Sequence, residues 1–500
     1  MRRWELSVPL EHGRGQPLFL QLASAIADDI RRGRLKPGEP LPGTRELAES
    51  LELNRNTVVA GYDELAAEGL VLTRVGGGTF VAEQAPRVIA PAALASEMPT
   101  FAVAPPLPRL PDMKPLPPGV LMLSTSMPDA RLFPARELAR AFRRAIEQKG
   151  RVLLTYSQAC GHERLRRELA AMLSRTRGLA ATPENLMVTR SIEQAIDLVA
   201  RALLVPGDVV AVEQWGYPPA WNVLRLAGAR LVPLPLDENG LDVESLETLL
   251  SHECVRAVFL TPHHQFPTAS VMSPQRRARL ARLALERGFA IIEDDYDHEF
   301  HYAGKPVLPI AAGIGRANVV YVGSLSNLLA PGIGAGFVVA PPVVFERLAS
   351  LRAASDARGD AAIECAVAEL FEDGELLRHM RRMRRTYAAR RDALVEALRH
   401  RLGSALDFRV PPGGTALWAQ VDDAIDVPAW VDAGEREGVR IASARTYDFV
   451  QRDDRFMRLG FSYHDEAELD EAVRRMARAL AKARLPKSSE GPARRSAQAA

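Results

Sequence analysis

The stretch FAIIEDD at residues 289–295 is a short apolar run, rich in β-branched residues, that closes on three acidic side chains. Runs of the same kind recur along the chain, with helical patterns between most of them. They are VVAVE at 209–213, RLVPLPL at 230–236, VRAVFLTP at 255–262, VVYVGSL at 319–325 and GFVVAP at 336–341. This alternation predicts an α/β domain with a mostly parallel sheet covered by helices on both faces.

Length and composition limit the class of protein. The chain has 500 residues, which predicts two or more domains, and its 47% hydrophobic and 25% charged residues are typical of a folded protein. A formal net charge of +2 means that any nucleic-acid site must be local. Three widely spaced cysteines, without an apolar leader or membrane span, predict a reducing, cytoplasmic location.

Composition also divides the chain into four segments. Residues 85–120 are crowded with Pro and Ala, which predicts a semi-stiff linker between two folded parts. Residues 1–84 precede it as a small domain, and residues 121–485 follow it as the large α/β domain, which ends in a smaller α/β lobe. The small, polar residues at 486–500 predict a disordered tail.

The small domain has the pattern of a winged helix-turn-helix. Apolar residues recur every four positions from Leu18 to Ile30, which predicts a first helix. A second helix begins near Thr44, and a third begins after Asn54, a good N-cap residue. Two β runs at 70–74 and 79–82 flank a glycine-rich turn and predict the wing.

Three landmarks make this segment resemble the GntR-type DNA-binding domain: PGEPLPGTRELA at 37–48, NRNTV at 54–58 and GGGTFV at 76–81. The resemblance implies DNA contacts from Arg45, Arg55, Asn56 and Thr57, with a wing tip at Gly77, Gly78 and Thr79. Arginine binds guanine edges bidentately, and asparagine reads adenine. Residues 1–84 hold ten basic and twelve acidic side chains, so a DNA footprint must be confined to one face. The alternative is a protein-contact module.

The large domain resembles the fold-type-I aminotransferases, the class that uses pyridoxal phosphate. The resemblance is carried by YSQACGHERLRREL at 156–169, VEQWGYP at 212–218, TPHHQFPTA at 261–269 (the family has TPSHQYPTG), IIEDDYDHEF at 291–300 and VYVGSLSNLLAPGIGAGFVVAP at 320–341. The order of the two domains makes the whole chain resemble a MocR-type regulator. Pyridoxal phosphate is therefore the implied cofactor.

The resemblance assigns cofactor-binding roles to several side chains. Asp294 would hold the pyridinium nitrogen protonated, so that the ring can withdraw electrons. Tyr296 would bond the ring hydroxyl, Tyr217 would stack on the ring face, and Ser324 and Ser326 would be donors to the phosphate. The alternatives are a buried, hydrogen-bonded relic for Asp294 and core packing for the two tyrosines, which is the preferred interpretation for Tyr217.

The position of the Schiff-base lysine is Asn327, and an amide is neither a Schiff-base nucleophile nor a general base near neutral pH. The chain has six lysines, and none stands in a pocket motif: Lys36, Lys114, Lys149, Lys305, Lys482 and Lys487. The position of the phosphate-binding arginine is Gly334. These two losses predict a pocket that binds the cofactor weakly, takes a phosphate-free pyridoxal derivative, or has been repurposed.

Two further groups of residues are candidate sites. The segment RFMRLGFS at 455–462 matches the family's substrate-carboxylate segment, which implies that Arg458 binds an effector carboxylate; a structural salt bridge is the alternative. His263, His264 and His298 lie among acidic residues without an H-x-x-x-H spacing or a cysteine partner. We predict a structural role for them and no metal site.

These patterns favour a transcriptional regulator that binds a double-stranded DNA operator as a homodimer. Its aminotransferase-like domain would sense a small amino-acid-like or vitamin-B6-like effector without transaminase activity. One alternative is an active aminotransferase with an accessory DNA-binding domain. The other is a constitutive DNA-binding protein whose second domain only dimerises.

Overall fold

A computed structural model describes residues 16–74, 77–83, 117–124, 127–155, 158–356, 359–451 and 455–483. Most of the predicted linker and the whole predicted tail at 486–500 lie outside the described residues. The described residues form two compact units, separated between residues 105 and 106. None of the helices in the described ranges is long and apolar enough to cross a membrane.

The first unit is a three-helix module with a β-hairpin. Its elements are α1 (Leu18–Arg31), α2 (Thr44–Ser50), α3 (Arg55–Ala67), β1 (Val71–Arg74) and β2 (Gly78–Val81). The two strands pair antiparallel, as the glycine-rich turn predicts. The module therefore has the winged helix-turn-helix fold expected from the sequence.

Capping and close packing fix the third helix. The side chain of Asn54 accepts a hydrogen bond from the backbone N–H of Asn56 at 2.9 Å, which confirms Asn54 as the N-cap of α3. Leu22 of α1 is buried against this helix, and a Cβ at Gly61 would lie only 3.1 Å from the carbonyl oxygen of Phe19. Glycine at position 61 lets α1 and α3 approach closely, so the orientation of α3 is set by the core.

The second unit contains the helices α4 (Ala135–Leu153), α5 (Glu163–Arg177), α6 (Ile192–Leu203), α7 (Pro218–Leu226), α8 (Val243–Leu250), α9 (Pro274–Arg287), α10 (Pro342–Ser355), α11 (Ala361–Glu372), α12 (Glu375–Leu402), α13 (Val427–Arg436) and α14 (Glu466–Ala483). Short 3-10 turns occur at Ala130–Leu132, Ile310–Ala312, Arg316–Asn318 and Ala444–Tyr447.

Its strands are β3 (Leu121–Met122), β4 (Leu186–Thr189), β5 (Val209–Glu213), β6 (Arg230–Leu234), β7 (Leu236–Asp237), β8 (Gly240–Leu241), β9 (Val255–Leu260), β10 (Ala290–Asp295), β11 (Val319–Ser324), β12 (Gly336–Val339), β13 (Leu406–Phe408), β14 (Ala416–Val421), β15 (Val439–Arg440) and β16 (Phe456–Gly460).

Within the described ranges, the main sheet has seven strands in the order β4-β12-β11-β10-β9-β5-β6. Only β12 runs against its neighbours, and the other pairings in the sheet are parallel. This confirms the predicted mostly parallel sheet. Its parallel strands all end at one edge, where binding residues of open α/β folds collect.

Successive residues of the central strands pack on opposite faces of the sheet. In β10, Ile292 joins the apolar layer that contains Trp221 of α7, whereas Ile291 joins the layer that contains Leu280 of α9. The strands are therefore buried on both sides, which is why they read as continuous apolar runs in the sequence. A separate antiparallel sheet, β13-β14-β16, packs with α12, α13 and α14 around Trp430 to form the small lobe.

A buried ion-pair network joins α5 to the carboxyl edge of the sheet. Arg177 at the end of α5 is fully buried. It bonds to the hydroxyl of Tyr321 on β11 and to Glu299, and its guanidinium lies 3.6 Å from Asp295 at the end of β10. The charge of Arg177 thus compensates two carboxylates that water cannot reach.

We expect Arg177→Ala to destabilise the second unit by about 3–5 kcal/mol, because it leaves Asp295 and Glu299 buried without their cation. Urea unfolding followed by tryptophan fluorescence measures this, since Trp215, Trp221, Trp418 and Trp430 all lie in that unit. Arg175→Ala removes an exposed arginine from the same helix and is the matched control. Equal losses in the two variants would contradict the role of the network.

Candidate functional site

One candidate surface lies at the N-terminal end of α3 in the first unit. Arg45 on α2 and Arg55 and Asn56 at the start of α3 are exposed, and Thr57 is half-buried. The Arg55 guanidinium lies 3.5 Å from the hydroxyl of Thr44, which brings the starts of the two helices together. The N-terminus of a helix carries partial positive charge and free N–H groups, so this end is suited to phosphate.

The predicted wing residues of the hairpin differ in their exposure to solvent. Gly77 and Gly78 are exposed at its tip, whereas Thr79 is 8% exposed and its hydroxyl lies 3.3 Å from that of Thr73. Burial removes the Thr79 side chain from the surface that DNA would meet. Arg74, which the sequence reasoning did not single out, is exposed beside the tip with its guanidinium 5.1 Å from the Phe80 ring centroid.

The second candidate site lies at the carboxyl edge of the main sheet and centres on Asp294. This residue lies near the end of β10 and is 2% exposed. Its Oδ1 atom is buried and has no hydrogen-bond partner among the described residues. Burial, together with the charges of Asp295 and Glu193, raises the pKa of Asp294 well above its ordinary value. A buried carboxyl oxygen without a partner is suited to a ligand that supplies an N–H donor.

Phe266 brings together the aromatic residues of this site. Its ring contacts the rings of Tyr217, Tyr296 and Tyr447 edge to face, with centroids 5.2, 6.0 and 5.2 Å away. The guanidinium of Arg458 lies 4.6 Å from the Phe266 ring centroid, in cation–π contact. Predicted residues from the main sheet and from the small lobe therefore meet on one phenylalanine.

Hydrogen bonds hold the two predicted tyrosines. The Tyr217 hydroxyl donates to Glu193 at 2.7 Å, and the Tyr296 hydroxyl donates to the backbone carbonyl of His264 at 2.9 Å. Arg458 also hydrogen-bonds to Tyr296. Burial raises the pKa of both phenols above their usual value, so both are neutral. Both tyrosines combine packing with polar contacts at the site, so the core-packing alternative describes only part of their surroundings.

Asn327 follows β11 on a turn next to Tyr296. Its Nδ2 atom donates to the backbone carbonyl of Tyr296 at 3.2 Å. On the same turn, the Ser324 hydroxyl accepts a hydrogen bond from the backbone N–H of Ser326 at 3.0 Å. His379 of α12 anchors the turn through the carbonyl of Leu328 at 2.9 Å. The amide at position 327 is thus fixed beside Tyr296 by a hydrogen bond.

The pocket end where the family resemblance places the phosphate is crowded by backbone. A Cβ at Gly334 would lie 2.2 Å from the carbonyl oxygen of Arg190, a distance that no side chain tolerates. Arg190 itself pairs with Asp356 at 3.2 Å, and Arg352 pairs with the same carboxylate at 3.2 Å. An arginine side chain therefore does not fit at position 334 on this backbone. The two nearby guanidinium groups, of Arg190 and Arg352, are already paired with Asp356.

The lysines lie elsewhere. The four in the described ranges, Lys36, Lys149, Lys305 and Lys482, are all exposed. Lys305 follows the Tyr302-Ala303-Gly304 turn, as expected for a solvated residue. The structure thus brings together Tyr217, Asp294, Tyr296, Asn327 and Arg458, whereas sequence reasoning missed Glu193, Phe266 and Tyr447. Phe266 had one available indication: it takes the place of the tyrosine in the family run TPSHQYPTG.

Comparisons with known proteins agree with both units. Residues 119–476 match the aminotransferase class I and II family, and residues 18–81 match the bacterial regulatory proteins of the gntR family. The second unit resembles the crystal structure of LysN, an alpha-aminoadipate aminotransferase from Thermus thermophilus. The TM-score is 0.68 at 28% identity, covering 73% of this chain and 93% of that chain.

Two regulators match over nearly the whole chain. The probable rhizopine catabolism regulatory protein MocR of Rhizobium meliloti is 31% identical over 468 residues, covering 91% of this chain and 92% of that protein. The pyridoxine biosynthesis transcriptional regulator PdxR of Corynebacterium glutamicum is 29% identical over 462 residues, covering 91% and 95%.

Fold and site together define a protein in which a winged helix-turn-helix is joined to an aminotransferase-like domain. The chain belongs to the aminotransferase class I and II family and, within it, to the MocR- and PdxR-type DNA-binding transcriptional regulators.

The raised pKa of Asp294 predicts a pH-dependent stability difference. The folded chain keeps a proton on this carboxyl that the unfolded chain releases above about pH 4. The contribution of Asp294 to the free energy of unfolding therefore falls as pH rises, by up to about 1.4 kcal/mol per pH unit, until the folded pKa is passed. Asp294→Asn carries no such proton, so its free energy of unfolding should rise relative to wild type between about pH 4 and pH 8.

Urea unfolding of Asp294→Asn and wild type at about pH 4 and about pH 8 measures the change in their stability difference. Asp197→Asn, which changes a more exposed carboxylate paired with Arg201 on α6, is the control and should not show the rise. A stability difference between Asp294→Asn and wild type that does not change with pH would contradict the burial argument.

Proposed function

We propose that the second unit of this regulator senses a small molecule that it binds without a covalent bond, and that the bound state adjusts operator recognition by the first unit. The ligand is a pyridoxal-like ring or an amino acid. The observation that carries this proposal is Asn327: the turn that would present a Schiff-base lysine presents an amide, hydrogen-bonded to the carbonyl of Tyr296. Without a nucleophilic amine at this turn, the pocket retains binding and loses transamination.

The residues present suit the ring of pyridoxal. Asp294 offers a buried oxygen for a pyridinium N–H, and Tyr296 and Tyr217 border the same space around Phe266. When bound, such a ring withdraws electrons from the carbon attached to its aldehyde-derived group. The contribution of this chain is to hold the ring nitrogen and the ring faces.

The residues at the phosphate end do not suit a phosphate. The backbone contact at Gly334 excludes the arginine, and Asp356 places a negative charge beside Arg190. We therefore favour a phosphate-free pyridoxal derivative over pyridoxal phosphate. The name of the relative PdxR, which concerns pyridoxine biosynthesis, is consistent with a ligand of this kind.

Arg458 is the group we propose for the carboxylate of an effector. It is 4% exposed, and its guanidinium borders the aromatic cluster through Phe266 and Tyr296. A guanidinium binds a carboxylate with two parallel hydrogen bonds, which an amino acid would supply. Asp294 and Arg458 would thus bind a ring nitrogen and a carboxylate, respectively.

For the first unit we propose that Arg45, Arg55, Asn56 and Thr57 contact DNA, with Gly77 and Gly78 approaching the backbone as the wing. The supporting observation is that these residues lie at the exposed N-terminal end of α3 and at the hairpin tip. We propose further that the protein acts in the cytoplasm as a homodimer that reads repeated half-sites, as the family resemblance implies.

Asn327→Lys tests the missing nucleophile directly. Wild type mixed with pyridoxal, then reduced with borohydride, should yield no stable adduct in the pocket. Asn327→Lys should yield one reduced pyridoxyl group per chain on the peptide that contains residue 327, because the new amine lies beside Tyr296. Peptide mass mapping identifies the modified residue.

Asn318→Lys is the control, because it adds a lysine just before β11, at the opposite end of the strand from the pocket. One reduced pyridoxyl group per chain on a single native lysine of wild type, well above the labelling of the other exposed lysines, would overturn the proposal and support an active aminotransferase. Noncovalent binding is read separately, from quenching of tryptophan fluorescence by pyridoxal and by a panel of amino acids. No response to any of them would support a purely structural second unit.

Arg55→Ala tests the DNA surface. The probe is a duplex selected from a random library by the wild-type protein. Loss of a base-contacting arginine costs about 1–3 kcal/mol, so affinity should fall by about 5- to 150-fold with relaxed preference at one position.

Arg31→Ala is the matched control, because Arg31 pairs with Glu68 at 3.2 Å, at the far end of α3, about 20 Å along the helix from Arg55. Fluorescence anisotropy at fixed salt gives both affinities. Undiminished binding by Arg55→Ala, or equal losses in the two variants, would remove this surface from the DNA interface.

A further inference from the structure

Four of the ten histidines of the chain form one buried cluster behind the ligand pocket. His263 and His264 lie just after β9, and His298 and His301 follow β10, so parallel neighbouring strands bring them together. Each is less than 8% exposed. The His263 ring centroid lies 4.1 Å from that of His264 and 4.5 Å from that of His298, and the rings of His264 and His301 are stacked at 5.6 Å.

The hydrogen bonds of this histidine cluster leave nitrogen atoms unused. His264 Nδ1 bonds to Asp297 at 2.9 Å, and His298 Nδ1 bonds to Asp295 at 2.8 Å. His264 Nε2 and His301 Nδ1 hydrogen-bond to each other at 3.3 Å, whereas neither ring nitrogen of His263 has a hydrogen-bond partner among the described residues. Burying a polar group without a hydrogen-bond partner costs free energy. Buried ring nitrogens without partners therefore indicate a site where a ligand could bind.

We propose that His263, His264 and His301 bind a divalent transition-metal ion, with zinc as the ion of choice. The three side chains each offer one ring nitrogen, and these nitrogens lie within 4.8 Å of one another. Neutral imidazole is a preferred ligand for zinc, copper, iron and nickel. Three protein nitrogens leave one tetrahedral position for water or another small ligand.

The spacing of two of these nitrogens already suits a metal. His264 Nε2 and His301 Nδ1 are 3.3 Å apart. With zinc–nitrogen bonds of about 2.0–2.1 Å, adjacent corners of a tetrahedron lie about 3.3–3.4 Å apart. Binding therefore requires adjustment chiefly of His263, whose ring nitrogens have no hydrogen bond to break among the described residues.

The surroundings of the proposed metal site also favour a cation. Asp297 holds Nδ1 of His264, which leaves the Nε2 lone pair of His264 directed at the cluster, an arrangement common at zinc sites. The backbone fixes His301 through a bridge to Gly413. Sequence reasoning predicted structural histidines here because His263, His264 and His298 have no H-x-x-x-H spacing or cysteine partner, and it did not single out His301, which lies 37 positions beyond His264.

The test uses the untagged full-length protein, stripped with a chelator, loaded with Zn²⁺ and desalted. Elemental analysis should find one zinc per chain, and Co²⁺ in place of zinc should give the strong visible absorption of a tetrahedral site. His263→Ser and His301→Asn should each weaken zinc binding, measured by competition with a chromophoric chelator. The loss should exceed the roughly 10- to 100-fold that we expect for Asp297→Asn, which removes only the outer partner of His264.

His252→Gln is the matched control. His252 and Cys254 are both exposed and close in sequence, so they are a pair that could bind zinc adventitiously. Replacing His252 should leave the zinc content at one ion per chain. Wild type that retains no zinc, or His263→Ser that retains as much as wild type, would overturn the proposal. Position 263 carries serine in the family run, so His263→Ser should fold, and its circular dichroism and unfolding midpoint without metal verify this. The result does not depend on the proposed effector function, because binding is read from the metal itself.

Discussion

Four buried carboxylates lie at the end of β10 and just after it. The neighbouring elements of the second unit supply the groups that compensate their negative charge. Glu293, Asp294, Asp295 and Asp297 are all at most 2% exposed. Two backbone N–H groups, of Ile310 and Ala311, donate to Glu293 at 2.8 Å, and its pKa is nevertheless raised to about 7 by burial. Burial would also raise the pKa of Asp295, but the charges of His298 and Arg177 lower it well below its usual value. Buried charges of this kind require partners at fixed positions, and the partners tie α5, β11 and the loop after β9 to one strand.

The way each carboxylate is compensated separates structure from function. Two backbone N–H groups hold Glu293, and Tyr321, His298 and Arg177 hold Oδ2 of Asp295, as expected for groups that stabilise the fold, although Oδ1 of Asp295 has no partner among the described residues. Asp294 keeps an oxygen without a partner among the described residues, in a site bordered by Phe266, Tyr217 and Tyr296. A group with a raised pKa in a site of this kind is stabilised by a ligand that donates to it. Under the function that we propose, this site recognises a ring nitrogen, and Asn327 and Gly334 stand where the family resemblance places the Schiff-base lysine and the phosphate-binding arginine.

Much of this fold is predictable from the sequence because its strands are buried on both faces. The run VVAVE coincides with β5 at Val209–Glu213, and the other predicted runs overlap strands whose ends differ by one or two residues. Within the main sheet the exception is β4 at Leu186–Thr189, which the sequence analysis did not identify. In the site, the positions of Asp294, Tyr296 and Asn327 followed from the resemblance. Glu193, Phe266, Arg177 and His301 did not, because their roles arise from contacts between residues distant in sequence, and no local spacing encodes such contacts.

The ligand pocket and the histidine cluster share one piece of backbone, and this has a thermodynamic consequence. The Tyr296 hydroxyl bonds to the carbonyl of His264, and Asp297, the next residue, bonds to the ring of the same histidine. A ligand that displaces Tyr296 changes the support of His264, and an ion that fixes His264 changes the support of Tyr296. Linkage requires these effects to be equal in free energy, so any preference of a ligand for the metal-bound chain equals the preference of the metal for the ligand-bound chain. The segment Asp294–His301 is therefore the element through which the binding of the proposed ligand and of the proposed metal ion would be coupled, because Tyr296 and Asp297 both contact His264.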